Sequence, residues 1–227
     1  MANSPSSVGF AAPPIRLVLF DLDGTLIDSL PDLRQSLNFV RRLFRLPPLS
    51  SGQVQSFVGD GAWRLIERSL PGLSREEQES GYSLFRNHYH DHCADFTTLY
   101  PGCRETLQNL RLRGKTLGII TNKPDTMAQR ILDSFRVSDL IHILIGGDRA
   151  QEKKPSPVPL RQALREAGCL GDEALMVGDS ANDIDAARGA AIRSCGVSYG
   201  FSLAAASDGS PPDFTVHRLP DLLSLVH

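Results

Sequence analysis

Short runs of branched apolar residues recur along this chain, each closed by a turn and followed by an amphipathic stretch. The clearest are Ile15 to Phe20 (IRLVLF), Lys115 to Ile120 (KTLGII), Ile141 to Ile145 (IHILI) and Ala174 to Val177 (ALMV). A weaker run lies around Arg193 to Val197, and Phe214 to Val216 is a sixth candidate. Runs of this length without alternation read as strands buried on both faces. The stretches between them carry helical spacing: Arg104 to Arg113, Thr126 to Phe135 with Asp125 placed to cap it, Val158 to Ala167, and Asn182 to Ala190. Strand and helix in alternation predict an α/β fold, a doubly wound, Rossmann-like parallel sheet with helices on both faces.

One block breaks the alternation. From about Leu30 to Thr98 no strand is evident, and the spacing predicts consecutive helices over Pro31 to Phe44, Leu49 to Phe57, Gly61 to Ser69 and Ser74 to His92. The expected organisation is a disordered tail over 1–14, an α/β core over 15–28 and 100–227, and an inserted helical cap over 29–99.

Composition narrows the function classes. The 227 residues are 41% hydrophobic and 22% charged, with a net charge of −2. That excludes a basic nucleic-acid footprint, and no apolar run approaches the roughly 20 residues needed to span a bilayer. The tail lacks the pattern of a secretory signal. The four scattered cysteines, Cys93, Cys103, Cys169 and Cys195, form no C-x-x-C pair and read as free thiols of a cytoplasmic protein.

Candidate chemistry sits where the strands end. In an open parallel sheet, ligands gather beyond the carboxyl ends of the strands. Asp21 and Asp23 follow the first run, in FDLDGTLIDS; Thr121 and Asn122 follow the second; Lys154 comes after the third; Asp179 and Asp183 follow the fourth. These residue types suit phosphoryl transfer. Asp21 can attack phosphorus and form an aspartyl-phosphate, and Asp23 can protonate the leaving alkoxide and then activate water. Asp21 and Asp179 offer oxygen ligands to Mg²⁺, while Thr121 and Lys154 hold phosphoryl oxygens. The Gly24–Thr25 turn adds backbone donors near the same anion.

The motifs DLDGT, TN, KP and GDSANDI resemble those of the haloacid dehalogenase superfamily of phosphohydrolases. Within it, DGTLIDS, the VGDG of Val58 to Gly61, TNKP, the GGD before KPSP and GDSANDIDAA are similar to the phosphoglycolate phosphatases. The resemblance implies a Mg²⁺-dependent phosphomonoester hydrolase acting on a small phosphorylated substrate, 2-phosphoglycolate. By position it implies Asp21 as nucleophile and Asp23 as acid/base, lending its backbone carbonyl to the metal. Asp179 would be a metal ligand, and Asp183 would orient metal-bound water or Lys154. Phosphate binding would fall to Thr25, Thr121, Asn122 and Lys154. The first strand would be central, beside the strand bearing Asp179. Monomer and homodimer both fit.

Other readings of the same residues are a phosphosugar, nucleotide or pyrophosphate phosphatase, a phosphosugar mutase, a phospho-accepting regulatory domain, and a non-catalytic binding protein. In the cap, Gly59 and Gly61 would let backbone approach a ligand closely, and Arg64 would meet a substrate carboxylate; the bland alternative pairs Arg64 with Glu67. His88, His90 and His92 tempt as a metal cluster, but H-E-x-x-H is absent and a polar helix face is the default.

Overall fold

The computed structural model describes residues 13–202 and 208–226. All but the last two positions of the tail expected over 1–14 lie outside the described residues.

Six parallel strands form one sheet in the order β5-β4-β1-β6-β7-β8. They are β1 (Leu17–Phe20), β4 (Thr116–Ile120), β5 (Ile143–Ile145), β6 (Ala174–Gly178), β7 (Arg193–Val197) and β8 (Phe214–Val216). β1 is central, with Phe20 level with Ile119 on one side and Val177 on the other. Its side chains divide by parity, as a pleated strand requires. Leu17 and Leu19 join the apolar layer of Leu160, Ala163, Ala186 and Ala187; Val18 and Phe20 join Leu107, Leu110, Met127 and Ile131 on the opposite face. Those layers belong to α7 (Val158–Ala167) and α8 (Ala181–Gly189) on one side, and to α5 (Cys103–Leu112) and α6 (Asp125–Ser134) on the other. Every strand expected from the apolar runs is present, with ends shifted by no more than two residues.

The helical block is also present: α1 (Leu30–Leu43), α2 (Ser51–Gln55), α3 (Ala62–Ser69) and α4 (Arg75–His92). Ser74 starts α4 with a capping box to Glu77, and Ser50 does the same for α2 with Gln53. Two connections absent from the sequence reading frame the block. β2 (Ile27–Asp28) and β3 (Thr98–Leu99) pair antiparallel, tying the chain's exit from the core to its return.

Two local expectations are corrected. Pro124, not Asp125, occupies the N-cap position of α6. The Asp125 carboxylate turns instead to the backbone N–H of Gly146, beyond β5. Trp63, which the helical block would be expected to enclose as its one indole, is only half-buried: its N–H donates to Glu67 at 2.7 Å and the Arg75 guanidinium lies over its ring. The histidines are engaged as polar side chains of a helix face. His88 stacks on Phe39 and bonds Ser36, and His92 pairs with Asp95. All four cysteines are free thiols. Among the described residues, no helix is long and apolar enough to cross a membrane.

Candidate active site

The carboxyl ends of β1, β4 and β6 open onto one cavity, roofed by the helical block. Asp21, Asp23, Thr121, Asn122, Lys154, Asp179, Gly59 and Gly61 all line it. Residues more than 150 positions apart in sequence meet there because β1 lies between β4 and β6.

Three carboxylates crowd at its floor, Asp21 and Asp179 in the lining and Asp183 fully buried behind it. Asp21, Asp179 and Asp183 each present an oxygen within 4.8 Å of the others. Lys154 is the cation placed among them, with Nζ 2.9 Å from Asp21 and 2.6 Å from Asp183. Burial would depress its ammonium, but Asp183 and Asp21 outweigh that and hold it above its ordinary value. One lysine does not balance three acids. Burial pushes the Asp21 carboxyl up to about 6, even against the pull of Lys154. Burial, with Asp21 and Asp183 close by, pushes Asp179 up to about 8. A floor this rich in crowded oxygen donors fits a hard divalent cation.

Asp179 and Asp183 are each held from behind. Asp179 Oδ1 accepts from the Thr25 hydroxyl at 3.1 Å, and Oδ2 accepts from the Phe201 N–H at 2.8 Å. Asp183 Oδ2 accepts from the Ser180 N–H at 3.1 Å and its hydroxyl at 2.7 Å. The turn after β1 makes this approach possible. Gly24 has φ +83°, and a Cβ there would stand 2.3 Å from Asp179 Oδ2.

Asp23 stands apart from the floor. Its Oδ1 accepts from the Ser29 hydroxyl and lies 3.0 Å from Lys123 Nζ. Lys123 in turn donates to the Tyr89 hydroxyl at 2.8 Å, a contact between the loop after β4 and helix α4. Neither Lys123 nor Tyr89 carries a sequence signature of this pairing. The only local signal was the lysine inside TNKP.

Several expected residues take up positions different from those imagined. Thr25 is fully buried and gives its hydroxyl to Asp179. Asn122 is occupied by backbone: it donates to the carbonyls of Gly59 at 2.8 Å and Lys154 at 2.9 Å, and accepts from the Lys154 N–H at 3.0 Å. It therefore locks the Lys154 loop and touches the helical block. Asn182, also unforeseen, donates to the Gly59 carbonyl at 3.3 Å and to Asp60 at 2.9 Å. Arg64 is not brought to the cavity. It is exposed and pairs with Glu67 at 2.7 Å, one turn along α3. Arg68 pairs with Asp60.

Comparison with known proteins agrees with this architecture. The model of the haloacid dehalogenase-like hydrolase family matches residues 18–197. A phosphoglycolate phosphatase of Chromobacterium violaceum is 39% identical over 217 residues, spanning 93% of this chain and 96% of that protein. The phosphoglycolate phosphatase of Neisseria meningitidis is 37% identical, spanning 92% of each. Among solved structures, that of a predicted phosphoglycolate phosphatase from Haemophilus somnus superposes with a TM-score of 0.89 at 33% identity, covering 94% of this chain and 98% of that one. With the family match running from β1 through β7 and the four motifs gathered on one sheet edge, the chain belongs to the haloacid dehalogenase-like hydrolases.

Proposed function

We propose that the chain is a Mg²⁺-dependent phosphomonoester hydrolase that works through an aspartyl-phosphate on Asp21, with 2-phosphoglycolate as substrate. The observation that carries the reaction is the pairing of two differently housed carboxylates at the end of β1. Asp21 lies on the acidic floor against Lys154, and Asp23 lies off it against Lys123 and Ser29. Two acids in different environments suit two roles.

An Asp21 carboxylate oxygen attacks phosphorus as the ester O–P bond breaks, and Asp23 gives its proton to the departing alkoxide. Asp23 then takes a proton from water, whose oxygen attacks the phosphorus of the acyl phosphate. Inorganic phosphate leaves and the Asp21 carboxylate is restored. Lys154 and the Thr121 hydroxyl steady the phosphoryl oxygens, and Asn122 keeps the Lys154 loop in place. Asp21 and Asp179, with the Asp23 backbone carbonyl, would hold the metal and Asp183 would support it; bound there, it would neutralise the phosphoryl charge that a bare carboxylate would otherwise repel. Residues 29–99 act as a cap whose closure over the cavity excludes bulk water.

The substrate reading is supported by the relatives, which are phosphoglycolate phosphatases, and by the apolar residues Leu33, Val58, Leu65, Phe85 and Met127 in the cavity lining. Phosphate release from a phosphomonoester panel, with Mg²⁺ and with excess chelator, tests the reading. The expected result is preferred turnover of 2-phosphoglycolate, abolished by the chelator and restored by Mg²⁺. Undiminished turnover in chelator would contradict the metal requirement, and a faster phosphosugar or nucleotide would overturn the substrate.

A further inference from the structure

Among the described residues, the cavity is lined by two ammonium groups, Lys154 and Lys123. Lys154 is committed to Asp21 and Asp183 on the floor. Lys123 is paired instead with Asp23, at 3.0 Å, and with the Tyr89 hydroxyl, at 2.8 Å. Its side chain is only 5% exposed. Phosphoryl transfer as described uses Lys123 only as the neighbour of Asp23 and gives the hydroxyl of Tyr89 no task. Around this pair the upper wall is apolar: Leu33, Val58, Leu65, Phe85 and Met127.

A phosphorylated two-carbon acid imposes a strict geometry here. Its carboxylate is separated from the ester oxygen by a single methylene carbon. The group that protonates that oxygen and the group that binds the carboxylate must therefore be neighbours. Asp23 and Lys123 are in contact. A carboxylate pressed into the apolar wall without a cation would carry a severe desolvation cost. Arg64 is exposed and held by Glu67, and exposed Lys153, whose Nζ lies beside Gly61, is not part of the lining.

We propose that Lys123 Nζ and Tyr89 Oη form the subsite for the substrate's second acidic group, which makes Lys123 the specificity-determining residue. The inference rests on the reading of the substrate as a short phosphorylated carboxylic acid. One partner comes from the core and the other from the cap, so a carboxylate bound between them is held by both.

The test is kcat/KM for 2-phosphoglycolate and for ethylene glycol monophosphate, in which a hydroxymethyl group replaces the carboxylate. Wild type, Lys123→Met, Lys123→Arg and Tyr89→Phe are compared in Mg²⁺. A charge-assisted contact predicts a wild-type preference of about 10- to 100-fold for the acid. Lys123→Met, which also strips Asp23 of a partner, should slow both substrates but collapse the ratio to within about threefold of unity. Lys123→Arg should restore much of the ratio, and Tyr89→Phe, which keeps the Asp23–Lys123 pair, should lower it by about threefold or more. A clear wild-type preference that persists unchanged in Lys123→Met or Tyr89→Phe would overturn the subsite while leaving the substrate reading intact. A wild-type ratio near unity would overturn the substrate reading itself.

Discussion

The state of single carboxyl groups decides how this site meets a metal. Asp21 is pushed up to about 6 and Asp179 to about 8, first by burial and then by acidic neighbours. Both lie above the roughly 3.9 of an unperturbed aspartate. A carboxyl raised on folding stabilises the fold while it keeps its proton, and that contribution is lost as pH rises through the folded value. Metal-free protein is therefore expected to lose melting temperature from about pH 4 to about pH 8 as Asp21 and Asp179 give up their protons. Mg²⁺ competes with those protons, so its affinity should rise over the same range, and the Mg²⁺-induced gain in melting temperature should be larger at pH 8 than at pH 6. Thermal melts with and without Mg²⁺ check the sign; a gain that shrinks with pH would contradict it. At this scale Asp21, Asp23, Lys154, Asp179 and Asp183 were legible because each follows an apolar run at a motif-defined distance. Tyr89 and Lys123 were not, since no local pattern reveals a contact across 34 positions between a helix and a loop.

Elements were legible in type and blurred at their ends. Four of the six sheet strands announced themselves through apolar runs, β7 and β8 more weakly because Arg193, Ser194 and Thr215 interrupt theirs, and the helices through three- and four-residue spacing. The β2–β3 ribbon escaped because two residues per strand carry no period, and its pairing is fixed by chain geometry instead. Next to that ribbon, the buried Asp32 of α1 ties the entry of the helical block to its exit. Its carboxylate accepts from the Phe96 N–H at 3.0 Å, the Thr97 N–H at 2.8 Å and the Thr97 hydroxyl at 2.7 Å. Asp32→Ala would strand these donors in a buried position, and a loss of about 3 kcal/mol is expected in denaturant unfolding. A loss below about 0.5 kcal/mol would show that water replaces the carboxylate there.

Across the whole molecule, the sheet order brings four motifs to one edge, and among the described residues the helical block meets that edge through a handful of polar contacts. The Gly59 carbonyl accepts from Asn122 on one side and Asn182 on the other. Gln55 adds a bond to the Phe201 carbonyl at 2.7 Å. With the Lys123–Tyr89 and Asn182–Asp60 bonds, these form the polar seam between the two parts among the described residues, a set small enough to suit a cap that opens and closes. Asn182→Ala removes one side of the seam, with its bond to Asp60, while leaving Asp21, Lys154 and Asp179 in place. It is expected to raise KM by about two- to tenfold, with the melting temperature nearly unchanged; an unaltered KM would remove Asn182 from the closure. The alternation of strands and helices made the core's architecture readable from sequence. The seam was unreadable because it depends on how the block settles over the sheet. The central claim is that Asp21 carries the phosphoryl group. Wild-type protein turning over 2-phosphoglycolate with Mg²⁺, quenched in acid and digested, should yield the peptide containing Asp21 with one added phosphoryl group on that residue by mass spectrometry. The same peptide from Asp21→Asn should be unmodified, with no phosphate released. A folded Asp21→Asn variant that still turned over at the wild-type rate, or a phosphoryl group on any other residue, would contradict the account.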